Sequence, residues 1–183
     1  SWKVLNESSN RLGSRVDIEL TSQTWHDIVW KHRLVVFKPS NCVYPDTALL
    51  FITGNYRDTS MELNLGWLLA TRSKCMVSVL FDIPNQPLFD GRREDALIAY
   101  TLLQYLQSKD PTWPLHFPMV KSAIRAMDTI QAYSADNWPA KINKFVVTGA
   151  SKRGWTTWLT AAVDQKRVKG IMPMVYDNLN LKE

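Results

Sequence analysis

The stretch Lys144-Phe145-Val146-Val147-Thr148-Gly149-Ala150-Ser151-Lys152-Arg153-Gly154-Trp155 decides the fold of this chain. It begins with a β-branched and aromatic run that predicts a short buried strand, and the residues from 155 to 163 favour a helix. Gly149, Ser151 and Gly154 lie between the two segments. The pattern therefore predicts a strand that turns sharply into a helix, with Ser151 at the turn.

A serine at such a turn is the arrangement of a nucleophile elbow. The tight turn pushes the hydroxyl out of the sheet, and the amide after it faces an incoming carbonyl oxygen at a helix N-terminus. The usual pattern is G-x-S-x-G, but Arg153 stands two residues after Ser151 and Gly154 comes one residue later. Because strand and helix nearly touch here, either Arg153 points outward or the turn differs from the usual one.

Two other interpretations fit the same stretch of sequence. Residues 147–151 match the beginning of the phosphate loop of a short-chain dehydrogenase, whose glycines lie against a dinucleotide. That loop needs glycine where this chain has Arg153 and Trp155, and it follows the first strand of its domain, whereas most of this chain precedes residue 147. An NAD(P)-dependent dehydrogenase is therefore disfavoured, and an ordinary strand–helix junction stays open.

Composition narrows the classes of function. A chain of 183 residues with 45% hydrophobic content suits one domain with a large core. The net charge of +5 is scattered, which argues against nucleic-acid binding, and no apolar run approaches the roughly 20 residues of a membrane span. No spacing suggests a metal site, and no cofactor is expected. Cys42 and Cys75 are either two unpaired buried thiols or one bridge of a secreted protein.

The order of elements predicts an α/β fold. Alternating segments favour two antiparallel strands at one edge, and continuous apolar runs favour strands covered on both faces. The alternating segments are residues 16–20 and 33–37, and the apolar runs are residues 48–53, 75–81, 145–147 and 168–175. Helices are expected at residues 61–71, 94–108 and from about residue 118. The expected fold is an α/β-hydrolase-like three-layer sandwich, with a mostly parallel sheet and residues 145–149 as a central strand.

In this fold the loop after the third strand supplies the second amide that holds an oxyanion, and Gly54-Asn55 stands there. The chain begins and stops abruptly, so residues 1–183 are expected to form a single, incomplete domain whose C-terminal strands are missing.

The sequence also resembles the PhoPQ-activated pathogenicity-related protein family across nearly its whole length. The resemblance is carried by residues 1–5, 84–88, 94–101, 148–155 and 172–180. It implies an α/β-hydrolase fold, a secreted or periplasmic location and a poorly defined substrate. The spacing of Gly149, Ser151, Lys152 and Gly154 is similar to that of glucuronoyl esterases. That similarity implies that Lys152, the basic residue after the serine, helps to hold the oxyanion.

A serine nucleophile needs a base, and this fold places the acid and then a histidine after the serine. No histidine follows Ser151, and His26, His32 and His116 lie upstream as expected surface or structural residues. Asp177 is a candidate acid, with an ordinary loop aspartate as the alternative.

Two functions follow from these observations. The first is a serine hydrolase of small or polymeric ester or amide substrates, whose base lies beyond residue 183. The second is a secreted binding or signalling protein that has the hydrolase fold but no catalytic activity.

Overall fold

The structure, a computed structural model, describes residues 1–176. The strands of this part are β1 Trp2–Asn10, β2 Gly13–Trp25, β3 Ile28–Pro39, β4 Tyr44–Ile52, β5 Cys75–Leu80, β6 Lys144–Ala150 and β7 Val168–Met174. Its helices are α1 Met61–Ser73, α2 Glu94–Ser108, α3 His116–Asn137 and α4 Lys152–Val163. The strand–helix alternation expected from residue 48 onward is present, although its first strand begins earlier, at Tyr44.

The described strands form one mixed sheet in the order β1-β2-β3-β5-β4-β6-β7. β1 pairs antiparallel with β2, β2 with β3, and β3 with β5. β5, β4, β6 and β7 run parallel to one another. β6 lies between β4 and β7, inside the described sheet but one strand from its edge, so it is less central than the sequence predicts.

The antiparallel part is larger than the two short strands that the sequence predicts. β2 and β3 continue beyond residues 16–20 and 33–37 through polar residues, because ladder hydrogen bonds join main-chain groups and do not require apolar side chains. β1 is exposed along its whole length, and its apolar residues are confined to one end, at Trp2, Val4 and Leu5, which is too short a pattern to reveal a strand. Within residues 1–176, antiparallel and parallel pairs are consequently equal in number.

Helices cover both faces of the sheet. α1 packs on one face, where Leu63 and Ala70 join the side chains that β3, β4 and β5 bury there. α3 packs on the opposite face, where its apolar side is continuous with the other face of the same strands. α4 lies beside α3 and covers β6 and β7. The result is the helix–sheet–helix layering of the α/β-hydrolase fold.

Two further features bear on the classes of function considered above. Cys42 and Cys75 carry free thiols, and burial raises the pKa of Cys42. In the part of the chain that the structure describes, no helix is long and apolar enough to cross a membrane.

Candidate active site

Ser151 stands at the junction of β6 and α4 in a strained conformation, with φ 55° and ψ −122°. A residue with a side chain enters this region at a cost of about 1–3 kcal/mol, so its surroundings must enforce it. The Ser151 amide donates to the Met174 carbonyl at 2.9 Å, and the Ser151 carbonyl accepts from the amides of Gly154 at 2.8 Å and Trp155 at 3.2 Å. Main-chain bonds thus hold Ser151 in this conformation, and the residue is exposed.

The backbone approaches itself closely on both sides of this serine turn (residues 149–154). A Cβ atom on Gly149 would lie 2.7 Å from the carbonyl oxygen of Arg153. A Cβ atom on Gly154 would lie 2.8 Å from the Cβ atom of Tyr176. Real Cβ atoms essentially never come this near to other heavy atoms. The two glycines are therefore needed for space.

The serine turn lies beside the 53–56 loop. Ile52 on β4 pairs with Gly149 on the parallel strand β6, and Gly54 and Ser151 each follow two residues later. Because parallel neighbours end at the same sheet edge, this pairing places both residues at the carboxyl edge, where α/β sheets bind ligands.

Asp82 fixes the 53–56 loop from the β5 side. Its amide donates to the Gly54 carbonyl at 2.7 Å, and its carboxylate accepts from the Tyr56 amide at 2.9 Å. The main chain of the loop is therefore held at two points, one on either side of Asn55.

Arg153 does not point outward. Its side chain is 11% exposed and passes over Gly54, where a Cβ atom would lie 3.1 Å from Nη2. Nε donates to the Ile83 carbonyl at 2.6 Å, and the two terminal nitrogens donate to the Glu94 carboxylate at 2.9 and 3.0 Å. The arginine that breaks the usual pattern thus joins the serine turn to the loops after β4 and β5.

Glu94, the first residue of α2, accepts from several donors at once. Besides Arg153, its carboxylate accepts from the Gln86 side chain at 2.6 Å and lies 3.2 Å from Lys152 Nζ. Arg153 is the largest of the influences that lower the pKa of Glu94 to about 2, so the carboxylate is charged at any physiological pH.

Lys152 directly follows the serine, and its ammonium lies between two carboxylates. Nζ is 3.0 Å from Asp95 and 3.2 Å from Glu94. Burial of the ammonium lowers the pKa of Lys152, but the hydrogen bonds to Asp95 and Glu94 outweigh burial and the pKa is raised. Lys152 therefore stays protonated at neutral pH, so it is no base, and its ammonium is paired with these two carboxylates.

The histidines have other surroundings. His32 is buried, with Nε2 2.9 Å from the Ser22 hydroxyl and Nδ1 3.0 Å from the Asp82 carbonyl, and burial lowers its pKa to about 4. Since a carbonyl only accepts, Nδ1 carries the proton and Nε2 accepts from Ser22.

His116 packs on Trp155 with ring centres 3.7 Å apart, and burial also lowers its pKa to about 4. His26 stacks on Trp113. No hydrogen bond joins these rings to Ser151 within residues 1–176.

The structure thus brings together Ser151, Lys152, Gly149, Gly154 and the Gly54-Asn55 loop, whereas Asp177 lies outside the described residues. Sequence reasoning missed Arg153, Glu94 and Gln86 as members of the site. Their spacing along the chain carries no signal of contact. One clue was present, since an arginine forced into a crowded turn requires a carboxylate partner.

Comparisons with known proteins agree with this fold. A glucuronoyl esterase from Solibacter usitatus superposes with a TM-score of 0.59 at 13% identity, over 92% of this chain and 50% of that one. An acetyl xylan esterase from Paenibacillus sp. R4 superposes with a TM-score of 0.58 at 12% identity, over 94% of this chain and 52% of that one. At such identities the likeness shows the α/β-hydrolase fold alone.

Sequence comparison finds a nearer relative, autocrine proliferation repressor protein A of Dictyostelium discoideum. It is 36% identical over 202 residues, which cover 98% of this chain and 39% of that protein. The chain therefore spans about two fifths of this curated relative and about half of the esterase structures. The family model for the PhoPQ-activated pathogenicity-related protein matches residues 1–183. The chain belongs to the PhoPQ-activated pathogenicity-related protein family.

Proposed function

We propose that this chain carries the nucleophile and the oxyanion site of a serine hydrolase that cleaves ester or amide bonds. The observation that carries the proposal is the backbone of Ser151, which is strained, exposed and held at the carboxyl edge of the sheet at the start of a helix. An ordinary strand–helix junction has no need of this strain, whereas a nucleophile elbow depends on it to present the hydroxyl.

The other residues of the site take roles around the serine. Lys152 is the first residue of α4, where an amide has no intrahelical acceptor and can face developing negative charge. The 53–56 loop supplies the second amide of the oxyanion hole. Lys152, whose ammonium is kept protonated by Glu94 and Asp95, is proposed to help hold the oxyanion. Gly149 and Gly154 leave space for the turn.

The base that accepts the Ser151 proton is proposed to come from residues beyond 183 in the full-length protein. His32 uses both ring nitrogens in hydrogen bonds, and His26 and His116 pack against tryptophans. Asp177 remains the candidate acid of the triad, and substitution of Asp177 in the full-length protein tests this role. A substrate esterified on a small molecule or on a polymer fits the esterase structures that share the fold.

A fluorophosphonate probe tests the proposal on the full-length protein, because it forms a covalent bond only with an activated serine. We expect stoichiometric labelling of the wild-type protein, with the adduct on the peptide that contains Ser151. Ser151→Ala should abolish labelling, and Ser8→Ala, which changes an exposed serine on β1, should not. Labelling that survives Ser151→Ala would contradict the proposal.

A second function is favoured by the name of the Dictyostelium relative, an autocrine proliferation repressor. On this alternative, the protein is secreted or periplasmic and acts as a signalling or binding protein on a hydrolase frame. The two functions are separated by Ser151→Ala in a cell-proliferation assay with purified protein. A variant that keeps full repressor activity favours signalling without hydrolysis, and a variant that loses activity while still folded favours the hydrolase.

A further inference from the structure

We infer that Glu94 is a positioning residue of the oxyanion site. Its carboxylate holds Arg153 and Lys152 so that the serine turn and the 53–56 loop keep a fixed separation. The inference rests on the proposed function and extends it to a residue on a different helix, whose carboxylate forms no hydrogen bond with Ser151 among residues 1–176.

The Glu94 carboxylate accepts four close contacts. Oε1 accepts from Arg153 Nη2 at 2.9 Å and from Gln86 Nε2 at 2.6 Å. Oε2 accepts from Arg153 Nη1 at 3.0 Å and lies 3.2 Å from Lys152 Nζ. The two-bond fork with arginine fixes the orientation of both groups as well as their distance. Both basic residues that follow the serine are therefore tied to one carboxylate.

Arg153 depends on this partner. Among residues 1–176, Glu94 is the one carboxylate within ion-pair distance of the Arg153 guanidinium, and the Arg153 side chain is only 11% exposed. Removing the negative charge would leave the guanidinium with little solvent and no neutralising partner, so it would move toward water. Since Arg153 covers Gly54, that movement uncovers the 53–56 loop.

Gln86 provides a second link to the same loop. Its Nε2 also lies 3.3 Å from the Asn55 side-chain oxygen, and its Oε1 accepts from the Glu94 amide at 2.8 Å. Glu94 itself has φ 50°, a conformation that disfavours side chains. The backbone and the side chain of Glu94 are thus both held by this group of contacts. The group reaches the 53–56 loop through the hydrogen bond at Asn55 and through the packing of Arg153 over Gly54.

The position of the loop matters because an oxyanion donor acts only when it lies about 3 Å from the developing charge. A displacement of about 1 Å costs on the order of 10²-fold in rate. A residue that fixes the loop should thus influence the chemical step much more than the capture of substrate.

The test compares full-length wild-type protein with Glu94→Gln, which keeps the shape of the side chain and removes its charge. Arg153→Lys serves as a second variant, since it keeps the positive charge and loses the fork. Asp90→Asn is the matched control, because Asp90 forms an ion pair with Arg92 outside this group of contacts and its side chain is 90% exposed.

Three measurements are made. For Glu94→Gln and Arg153→Lys, we expect Ser151 labelling by fluorophosphonate to slow on the order of 10- to 100-fold. On a short nitrophenyl ester, kcat should fall by a similar factor while KM changes less than about threefold. Hydrogen exchange of a peptide that spans residues 53–56 should become faster in both variants and stay unchanged in Asp90→Asn.

Hydrogen exchange separates this inference from the proposed function. If the wild-type protein is not labelled, the hydrolase proposal fails, and faster exchange in Glu94→Gln still supports the role of Glu94 in holding the loop. If Glu94→Gln does not fold, the same three measurements on Arg153→Lys test whether the contact between Glu94 and Arg153 holds the loop. Wild-type exchange at residues 53–56 in a folded variant, or equal losses in kcat and in affinity, would overturn the inference.

Discussion

At the residue scale, the serine turn depends on main-chain atoms that leave no space for a side chain at Gly149. An added Cβ atom would meet the carbonyl oxygen of Arg153 at 2.7 Å, and a backbone atom cannot move aside as a flexible side chain can. We expect Gly149→Ala to lower the free energy of unfolding by about 1–3 kcal/mol, as overpacking does in other cores. Urea unfolding followed by tryptophan fluorescence measures the change.

Gly170→Ala is the control for that experiment, because Gly170 lies on the neighbouring strand β7. A Cβ atom there would meet Val146 at 3.7 Å, which is ordinary van der Waals contact. Its effect should stay within about 1 kcal/mol of zero, since alanine also lowers the entropy of the unfolded chain. Equal destabilisation by both substitutions would show that strand glycines matter here for a reason other than space.

Acid should destabilise the fold through its buried histidines. Burial lowers the pKa of His32 and His116 to about 4, below an unfolded value of about 6.5. The unfolded chain then binds more protons than the folded chain between these values, so stability is lost as pH falls from about 6.5 to 4. Each histidine accounts for up to about 3 kcal/mol of this loss.

His116→Phe checks the histidine prediction, because it keeps an aromatic ring on Trp155 and removes the ionising group. Between pH 7 and pH 4.5 the variant should lose about 2 kcal/mol less stability than the wild-type protein. The comparison requires urea unfolding at both values of pH. Identical losses would mean that His116 is not the group that takes up the proton.

At the scale of an element, the C-terminal end of α2 contains a residue whose substitution should stabilise the fold. Lys109, at the C-terminal end of α2, has φ 61° and donates its amide to the Tyr105 carbonyl at 2.8 Å. This left-handed position favours glycine. Lys109→Gly should raise the free energy of unfolding by about 0.5–1 kcal/mol, and Lys109→Ala should give no such gain because it keeps the Cβ atom. Thermal unfolding of both variants and of the wild-type protein measures these changes in stability.

The elements differ in how far the sequence could predict them. α2 has the predicted bounds Glu94–Ser108, because an apolar stripe and flanking breakers mark it. β1 was not predicted, because an edge strand exposed along its length needs no hydrophobic pattern. Ser151 and Gly54 could be placed at one edge from strand order. The contact of Glu94 with Arg153 could not be predicted. A pattern that is local in sequence contains no information about contacts between side chains 59 residues apart.

At the scale of the whole molecule, the 183-residue chain on its own should show no appreciable Ser151-dependent esterase activity. No histidine follows Ser151 in this sequence, and the raised pKa of Lys152 removes it as a base. Serine proteases stripped of triad members retain only about 10³–10⁴-fold catalysis over water. Short nitrophenyl esters, assayed with the chain, the full-length protein and Ser151→Ala of each, measure this. Equal turnover by chain and full-length protein would place the base within these residues.

The strained backbone of Ser151 also bears on how such a chain evolves. Glycine adopts φ 55°, ψ −122° without the steric cost that serine meets, so Ser151→Gly should stabilise the fold while it removes the hydroxyl on which the proposed hydrolysis depends. In a lineage that no longer needs the hydroxyl, no loss of function opposes this exchange, and the gain in stability favours it. A lineage under selection for a reactive hydroxyl rejects it in every generation, despite the gain in stability.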